Sequence, residues 1–317
     1  MSIRIGVLGC SAIAEKSVIP AIIKSEKFEL VGVASRSLDK AADYAEKFNT
    51  LCYNYRQLLE SDVEAVYVSL PVGLHYHWGK EVLLANKHLL MEKTFTQTSI
   101  QAAELLKLSN ANRLACMEAL MYQYHPIQKQ IKELSSNIGE IRSIEAHFGF
   151  PHFDNKQDIR YIKELGGGAA LDCLTYPLSF VFNLLGSNYK DCKSSIYYDK
   201  VTSIDERGYI HLQYPNTAVN ISYGFGHSYR NEATIWGEKA IIKVHRVFTR
   251  PARCELPIEI WRNTSCTNEK TQPSNHFVDM LSEFSNNVKT LKNDSCSILT
   301  RVKFIEELLM SSGDTST

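Results

Sequence analysis

Two groups of residues in this sequence carry side chains suited to acid–base work. The stretch "ELGGGAALDCLTYPLSFV", beginning at Glu164, sets Gly166, Gly167 and Gly168 before an apolar segment. That segment holds an acid, Asp172, and a phenol, Tyr176, four positions apart. Earlier in the chain, "LLMEKTFT" places Glu92 and Lys93 directly after an apolar run. A phenol has an ordinary pKa near ~10, and an ammonium beside it favours the phenolate and brings that pKa toward working pH. Asp172 and Tyr176, one helical turn apart, share a face. Taken singly, each has an ordinary alternative. Asp172 suits a helix start, Tyr176 suits a core position with its hydroxyl satisfied, and a lone Glu-Lys pair is ordinarily a surface ion pair.

The elements that must position these residues change character along the chain. In the first third, strands alternate with helices. "IRIGVLG", "FELVGVAS", "AVYVSLP", "KHLLME" and "RLACMEAL" read as strands. "IAEKSVIPAIIKS", "SLDKAADYAEKFN" with Ser37 as its cap, "HWGKEVLLAN" and "SIQAAELLKLSNAN" read as the helices between them. That alternation predicts a doubly wound parallel sheet, a Rossmann domain over residues 1–122. After the helix "PIQKQIKELSSN", longer alternating runs follow without helices between most of them: "IRSIEAHFGF", "CKSSIYYD", "RGYIHLQY", "AVNISYGFGH", "EATIWGE" and "AIIKVHR". These predict an α+β domain over residues 123–317 with a large, mostly antiparallel, open sheet. Helices over Ala169 to Leu185 and near the C-terminus would cover one face, and "RNTSCTNEKTQPSN" reads as an exposed loop.

The first strand runs into "GCSAIA". Against the G-x-G-x-x-G/A pattern, Gly9 takes the first position, Ser11 the second and Ala14 the third. Such a turn brings backbone close to a pyrophosphate at a helix start, so Gly9, Cys10, Ser11, Ala12 and Ile13 are candidate cofactor contacts. An ordinary tight βα turn is the alternative. The second strand ends "VASRS", without the acid that binds the ribose hydroxyls of NAD. Ser35 and Arg36 can hold a 2′-phosphate instead, which favours NADP(H) over NAD. Leu70, Pro71 and His75 follow the third strand, and Glu92 and Lys93 the fourth, at the carboxyl edge where such folds bind ligands; His75 reads as a cofactor contact or equally as a capping or packed histidine.

Bulk properties exclude several classes. Lys plus Arg equals Asp plus Glu, 35 each, which argues against a nucleic-acid binder or a polybasic membrane protein. The eight cysteines form no C-x-x-C pair, so no zinc or redox motif is visible, no metal is expected, and reduced thiols are. No signal-peptide pattern is seen, and no apolar run was found near the ~20 residues of a membrane span, so a cytoplasmic protein is expected. An open sheet covered on one side predicts a homodimer or homotetramer.

Taken together, these motifs resemble the Gfo/Idh/MocA oxidoreductases, over essentially the whole chain. That family carries Glu-Lys-Pro after the fourth strand and G-G-G-x-x-x-D-x-x-x-H/Y opening a helix of the second domain. Here they stand as Glu92-Lys93-Thr94 and Gly166 through Tyr176, with "MEALMYQYHP" as the crossing segment. The stretches "FGFPHFDNKQDIRY", "YGFGHSYRNEATIWGE" and "VFTRPA" resemble the NADPH-dependent 3-ketoreductases of nucleotide-linked deoxysugars, a branch that ends the motif in Tyr. Dimeric dihydrodiol dehydrogenase and glucose–fructose oxidoreductase share the Lys/Asp/Tyr set. Thr94 departs from the family's proline, whose peptide bond can be cis, and Gln123 stands where relatives often have Arg.

The resemblance implies reduction of a sugar ketone. Tyr176 would donate the proton to the keto oxygen. Lys93 would tune Tyr176 and hold the substrate oxygen, and Asp172 would orient a substrate hydroxyl or Lys93. Arg160 and Tyr161 are expected at nicotinamide or substrate phosphate, with an ion pair from Arg160 to Asp158 or Glu164 as the alternative. Tyr122, Phe150, His227 and Tyr229 are candidate pocket residues, or else sheet packing. Two other functions stay open on sequence: oxidation of a free sugar or trans-dihydrodiol, and a non-catalytic nucleotide sensor on the same fold.

Overall fold

The computed structural model describes residues 2–155, 157–293 and 295–312. The chain divides into two compact units. The first comprises the chain up to Met121 together with Phe277–Val302; the second runs from Tyr122 to His276 and takes up the chain again at Lys303.

The first unit is built on β1 (Ile3–Leu8), β2 (Phe28–Ala34), β3 (Leu51–Tyr53), β4 (Ala65–Val68), β5 (His88–Met91) and β6 (Cys116–Glu118), all parallel, in the order β3-β2-β1-β4-β5-β6. Strands buried on both faces need apolar side chains at consecutive positions, and "AVYV" in β4 is buried throughout. The register pairs Leu8 with Ala34 and Val68, Val68 with Met91, and Met91 with Glu118. Gly9, Ser35, Ser69, Glu92 and Ala119, the next residue of each strand, therefore line one carboxyl edge. Sheet order reverses between β1 and β4, which is where this architecture binds its ligands.

Local signals explain the helices. Pro20 sits in the first turn of helix Ile19–Lys24, where its missing N–H is not needed, and the chain before it winds as a π-turn, Ala14–Val18. Ser37 caps Leu38–Phe48 by accepting the Lys40 N–H, and Asn49 ends that helix at φ 50°. β3 and helix Tyr55–Glu60 are not among the elements expected from sequence. β3 is a three-residue edge strand, largely exposed, without the apolar run that marks its neighbours. The helix after it carries a capping box, Asn54 with Gln57.

In the second unit an eight-stranded sheet has the order β14-β13-β12-β11-β7-β10-β9-β8. Its strands are β7 (Ile141–Phe150), β8 (Asp191–Tyr198), β9 (Asp205–Gln213), β10 (Ala218–Phe225), β11 (Arg230–Gly237), β12 (Ile241–His245), β13 (Ile258–Arg262) and β14 (Ser265–Glu269). All neighbours are antiparallel except β7 and β10. Burial alternates along β11 and β12, as a sheet with one covered face requires. Helix Thr175–Leu185 is buried at every position from Thr175 to Val181 and packs on the covered face. The helical run Lys163–Leu185 is apolar and long enough to cross a membrane by composition, a run the sequence reading did not find because three glycines interrupt it; 72% of its apolar window is buried inside the protein, as in a core helix.

Two expectations are corrected. "RNTSCTNEK" is not a loop: β13 and β14 form a hairpin whose register pairs Arg262 with Ser265, and Asn263 takes φ 53° in the tight turn. Being an exposed edge, β14 has no buried face to advertise itself. Sequence order assigned everything after 122 to one domain, yet Phe277–Val302 belongs to the first unit. Phe284 stacks on Phe28 at 6.1 Å, and the Asn293 side chain accepts the Cys116 N–H at 2.7 Å.

Candidate active site

At the carboxyl edge of the first unit, Gly9 turns at φ 113°, with its N–H donated to the Ala34 carbonyl at 2.9 Å. A Cβ on Gly9 would run into the Ser69 carbonyl, so only glycine lets the loop lie this close to β4. Ser11 is not a passive stand-in for the motif's second glycine. Its hydroxyl contacts the Ser69 hydroxyl at 2.5 Å and accepts the Ala14 N–H at 3.1 Å, fixing the loop to the helix it opens. Ala12 and Ile13 are exposed at the start of that helical run. Cys10 is buried, its thiol pushed up to about 11 by burial, so it packs rather than reacts. At the end of β2, Ser35 is buried and accepts the Ser37 N–H at 3.2 Å, whereas Arg36 is exposed. Lys40 lies near enough to draw the Cys10 thiol down, and adds a second cation at this edge that the sequence reading missed. The glycine turn, the exposed helix start and the cations in place of an acid fit a dinucleotide with a 2′-phosphate.

The segment that carries Lys93 is fastened from three directions. The Tyr67 hydroxyl donates to Glu92 Oε1 at 2.5 Å, and Glu92 Oε2 accepts the Lys93 N–H at 3.2 Å. Burial raises the Glu92 carboxyl, opposed by the Tyr67 bond and the Lys93 charge. The Glu118 carboxylate accepts the Phe95 N–H at 2.8 Å and pairs with Arg301. His75 lies 2.9 Å from the Thr94 carbonyl through Nδ1 and 2.7 Å from the Leu70 carbonyl through Nε2. The Lys93–Thr94 peptide bond is cis with threonine in the place of proline.

His75 was expected at the cofactor, with a capping or packed histidine as the alternative. It has 0% exposure and both ring nitrogens face backbone carbonyls, so it ties the segment after β4 to the one after β5. Burial lowers its pKa, so the ring stays neutral and donates through one nitrogen at a time. Leu70 and Pro71 are half-buried beside it. Glu118 and Arg301 escaped the sequence reading. Glu118 was findable as the residue that ends a strand at this edge; Arg301 lies 183 positions further on and gives no local signal.

In the second unit, Gly167 and Gly168 donate their N–H groups to the carbonyls of Ile162 and Arg160, both at 3.0 Å. The glycines thus fold the chain back onto its own preceding turns, Ile159–Tyr161 and Lys163–Leu165. Asp172 follows in a π-turn, Ala170–Leu174. Arg160 Nε donates to Asp172 Oδ2 at 2.7 Å, and its Nη1 donates to Asp158 Oδ1 at 3.0 Å. Burial works against the Arg160 charge, but these two carboxylates outweigh it and hold the guanidinium firmly ionised. Arg160 was expected at cofactor or substrate; its guanidinium is committed to an ion pair with Asp158, as the alternative had it, and with Asp172 rather than Glu164. It also lies over the Phe153 ring at 4.5 Å.

Tyr176 is 5% exposed, walled by Phe148 at 4.9 Å, Tyr122 at 5.9 Å and Phe248 at 6.1 Å between ring centroids. Tyr122 is core rather than pocket: it is buried, with its hydroxyl 2.6 Å from the Ser179 hydroxyl. Phe150 is half-buried in a group of rings with Phe153 and Phe225. The Tyr161 hydroxyl accepts the Phe153 N–H at 3.0 Å. His227 donates its backbone N–H to the Phe150 carbonyl, and burial, then Arg207 and His152, lower its ring pKa. Tyr229 is exposed, with its hydroxyl 3.0 Å from Thr249 Oγ1 and Arg246 over its ring. Phe150, Tyr161 and His227 therefore cluster, while Tyr229 belongs to the separate group with Asn231 and Thr249. Gln123 is half-buried, its amide nitrogen without a partner among the described residues.

Both parts of the chain match known proteins. Residues 3–120 match the family described as "Oxidoreductase family, NAD-binding Rossmann fold", and residues 129–243 match the "GFO/IDH/MocA C-terminal domain". The chain is 37% identical to the dTDP-3,4-didehydro-2,6-dideoxy-alpha-D-glucose 3-reductase of Saccharopolyspora spinosa, across 82% of this chain and 80% of the relative. The Streptomyces antibioticus protein of the same name is 31% identical, across 89% and 87%. Among solved structures, a 3-ketoreductase from Actinomadura kijaniata in complex with NADP and TDP-benzene has a TM-score of 0.92 at 30% identity, over 96% of each chain. Forms of that enzyme with a tyrosine changed to phenylalanine, or a lysine to alanine or glutamate, are similar as well. With both parts of the chain matched and relatives this similar along most of its length, the chain belongs to the Gfo/Idh/MocA family of oxidoreductases.

Proposed function

We propose that this chain is an NADP(H)-dependent reductase of a 3-keto group on a nucleotide-linked deoxysugar. The observation that carries the reading is the similarity to dTDP-sugar 3-reductases across most of the chain, at 37% identity in the Saccharopolyspora spinosa case. The catalytic side chains of the resemblance are present, with Tyr176 set in an apolar wall and Asp172 held by Arg160.

Gly9, Ser11, Ala12 and Ile13 would hold the pyrophosphate of NADPH, and Arg36 with Ser35 and Lys40 the 2′-phosphate. When bound, NADPH supplies the hydride. As charge builds on the keto oxygen, Tyr176 gives up its phenolic proton to it, and the Lys93 ammonium stabilises both the developing alkoxide and the phenolate left behind. Asp172, held by Arg160, would orient a substrate hydroxyl or Lys93, as the resemblance implies. The apolar ring wall around Tyr176 suits a sugar that has lost hydroxyls. NADPH oxidation with dTDP-3,4-didehydro-2,6-dideoxy-α-D-glucose tests the reading, beside NADP+ reduction with D-xylose and with a trans-dihydrodiol as the competing substrates. Turnover confined to the competing substrates contradicts it, and NADPH binding without turnover on any of them makes the chain a sensor.

The same reading includes a homo-oligomer. Tyr197, Tyr209 and Trp236 are 46%, 45% and 58% exposed, and strand register places them on one face of the sheet. A second copy of the chain is the proposed cover for that face.

A further inference from the structure

Asp205 opens β9, and its carboxylate is buried, 4% exposed, beneath the start of the helical run that carries Asp172 and Tyr176. Its Oδ2 accepts the Ala170 N–H at 2.6 Å, and the Ala169 N–H donates to the same carboxylate. Its Oδ1 lies against Gly168, where a Cβ would collide with it. Gly168 takes φ 124°, and its carbonyl accepts the Asp172 N–H at 3.2 Å, so this glycine is where the helical hydrogen bonding begins.

The first N–H groups of a helix have no partner within it. Local capping uses the side chain just before the helix. Here Gly168 has no side chain, and the acceptor arrives from a strand 35 residues further along. Burial pushes the Asp205 carboxyl up to about 7, against the pull of the backbone N–H donors. Such a group is costly to place, and two of its backbone donors, Ala169 and Ala170, belong to one turn.

We propose that Asp205 is a positioning residue for the reductase: a cap from the sheet that seats Gly168 and fixes where the helix starts, and with it the aim of Asp172 and Tyr176. The consequence for turnover rests on the role proposed for Tyr176; the consequence for the helix start does not. The third glycine of the motif then has a second partner to explain it, a carboxylate oxygen where its Cβ would be.

Hydrogen exchange of the peptide spanning 166–176, read beside steady-state kinetics of the full chain, tests this. In Asp205→Ala, exchange in that peptide should rise about tenfold, the upper part of what a lost cap costs. The kcat for dTDP-3,4-didehydro-2,6-dideoxy-α-D-glucose should fall by a similar factor, with KM and NADPH affinity held within about twofold. Asp205→Asn keeps an oxygen acceptor and should recover most of both. Gly168→Ala pushes on the same carboxylate from the other side and should reproduce the loss of kcat. Native exchange and native kcat in Asp205→Ala overturn the proposal. So does faster exchange across every peptide with no rescue by Asn. If Asp205→Ala does not fold, Gly168→Ala decides: native exchange and kcat there overturn it as well. Absence of turnover in the unmodified chain sinks the reductase reading, while the exchange arm still decides the role of Asp205.

Discussion

His125 shows how a single side chain ties local structure to pH. It caps helix Pro126–Ser135 by accepting the Ile127 N–H on Nδ1 at 3.1 Å, which only a neutral ring can do. Burial, then the Arg250 charge, holds its pKa down to about 4. His276, 6.5 Å away between ring centroids, is also held to about 4, by burial and then by His125. Both pKa values lie below the ordinary histidine value. Their stabilising effect is therefore full above about pH 6.5 and is lost as pH falls toward 4. Thermal melts should show a loss on the order of 2 kcal/mol per histidine by about pH 5. His125→Asn, which keeps a capping oxygen, should flatten part of that dependence. A variant with the same acid slope as the unmodified protein contradicts the assignment.

Among the elements, the Lys93 segment depends most on a partner distant in sequence. The Glu118 and Arg301 side chains are 3% and 5% exposed. Glu118→Ala would strand the Arg301 charge and orphan the Phe95 N–H, so a cost of about 3–5 kcal/mol is expected in chemical denaturation. Loss of less than about 1 kcal/mol would show the pair to be dispensable. The long βαβ elements were legible because apolar runs and caps such as Ser37 repeat at helical and strand spacing. β3 and β14 were not, being short, exposed edges with no buried face to impose a pattern. The same division runs through the candidate site. Gly9, Lys93, Asp172 and Tyr176 stand in contiguous motifs and could be read directly. Glu118, Arg301 and Asp205 act on residues 23 to 183 positions away, through bonds that only the fold creates. His75 stayed open between cofactor contact and packing because its place at the carboxyl edge is visible in sequence while the two carbonyls that enclose it are not.

At the scale of the whole molecule, the larger sheet carries exposed Tyr197, Tyr209 and Trp236 on one face. If a second copy covers that face, light scattering at assay concentration should give at least twice the 35.9 kDa of the chain, and Trp236→Arg should shift the protein toward monomer. A monomeric mass for the unmodified protein contradicts the oligomer. The proposed chemistry turns on proton donation by Tyr176 in reduction of a 3-keto nucleotide sugar. The most direct measurement is single-turnover NADPH oxidation with dTDP-3,4-didehydro-2,6-dideoxy-α-D-glucose, comparing the unmodified chain with Tyr176→Phe and Lys93→Met. A fall of about 10²–10⁴-fold in the chemical step for both variants, with NADPH still bound, is the expected result. Full turnover by Tyr176→Phe would contradict it.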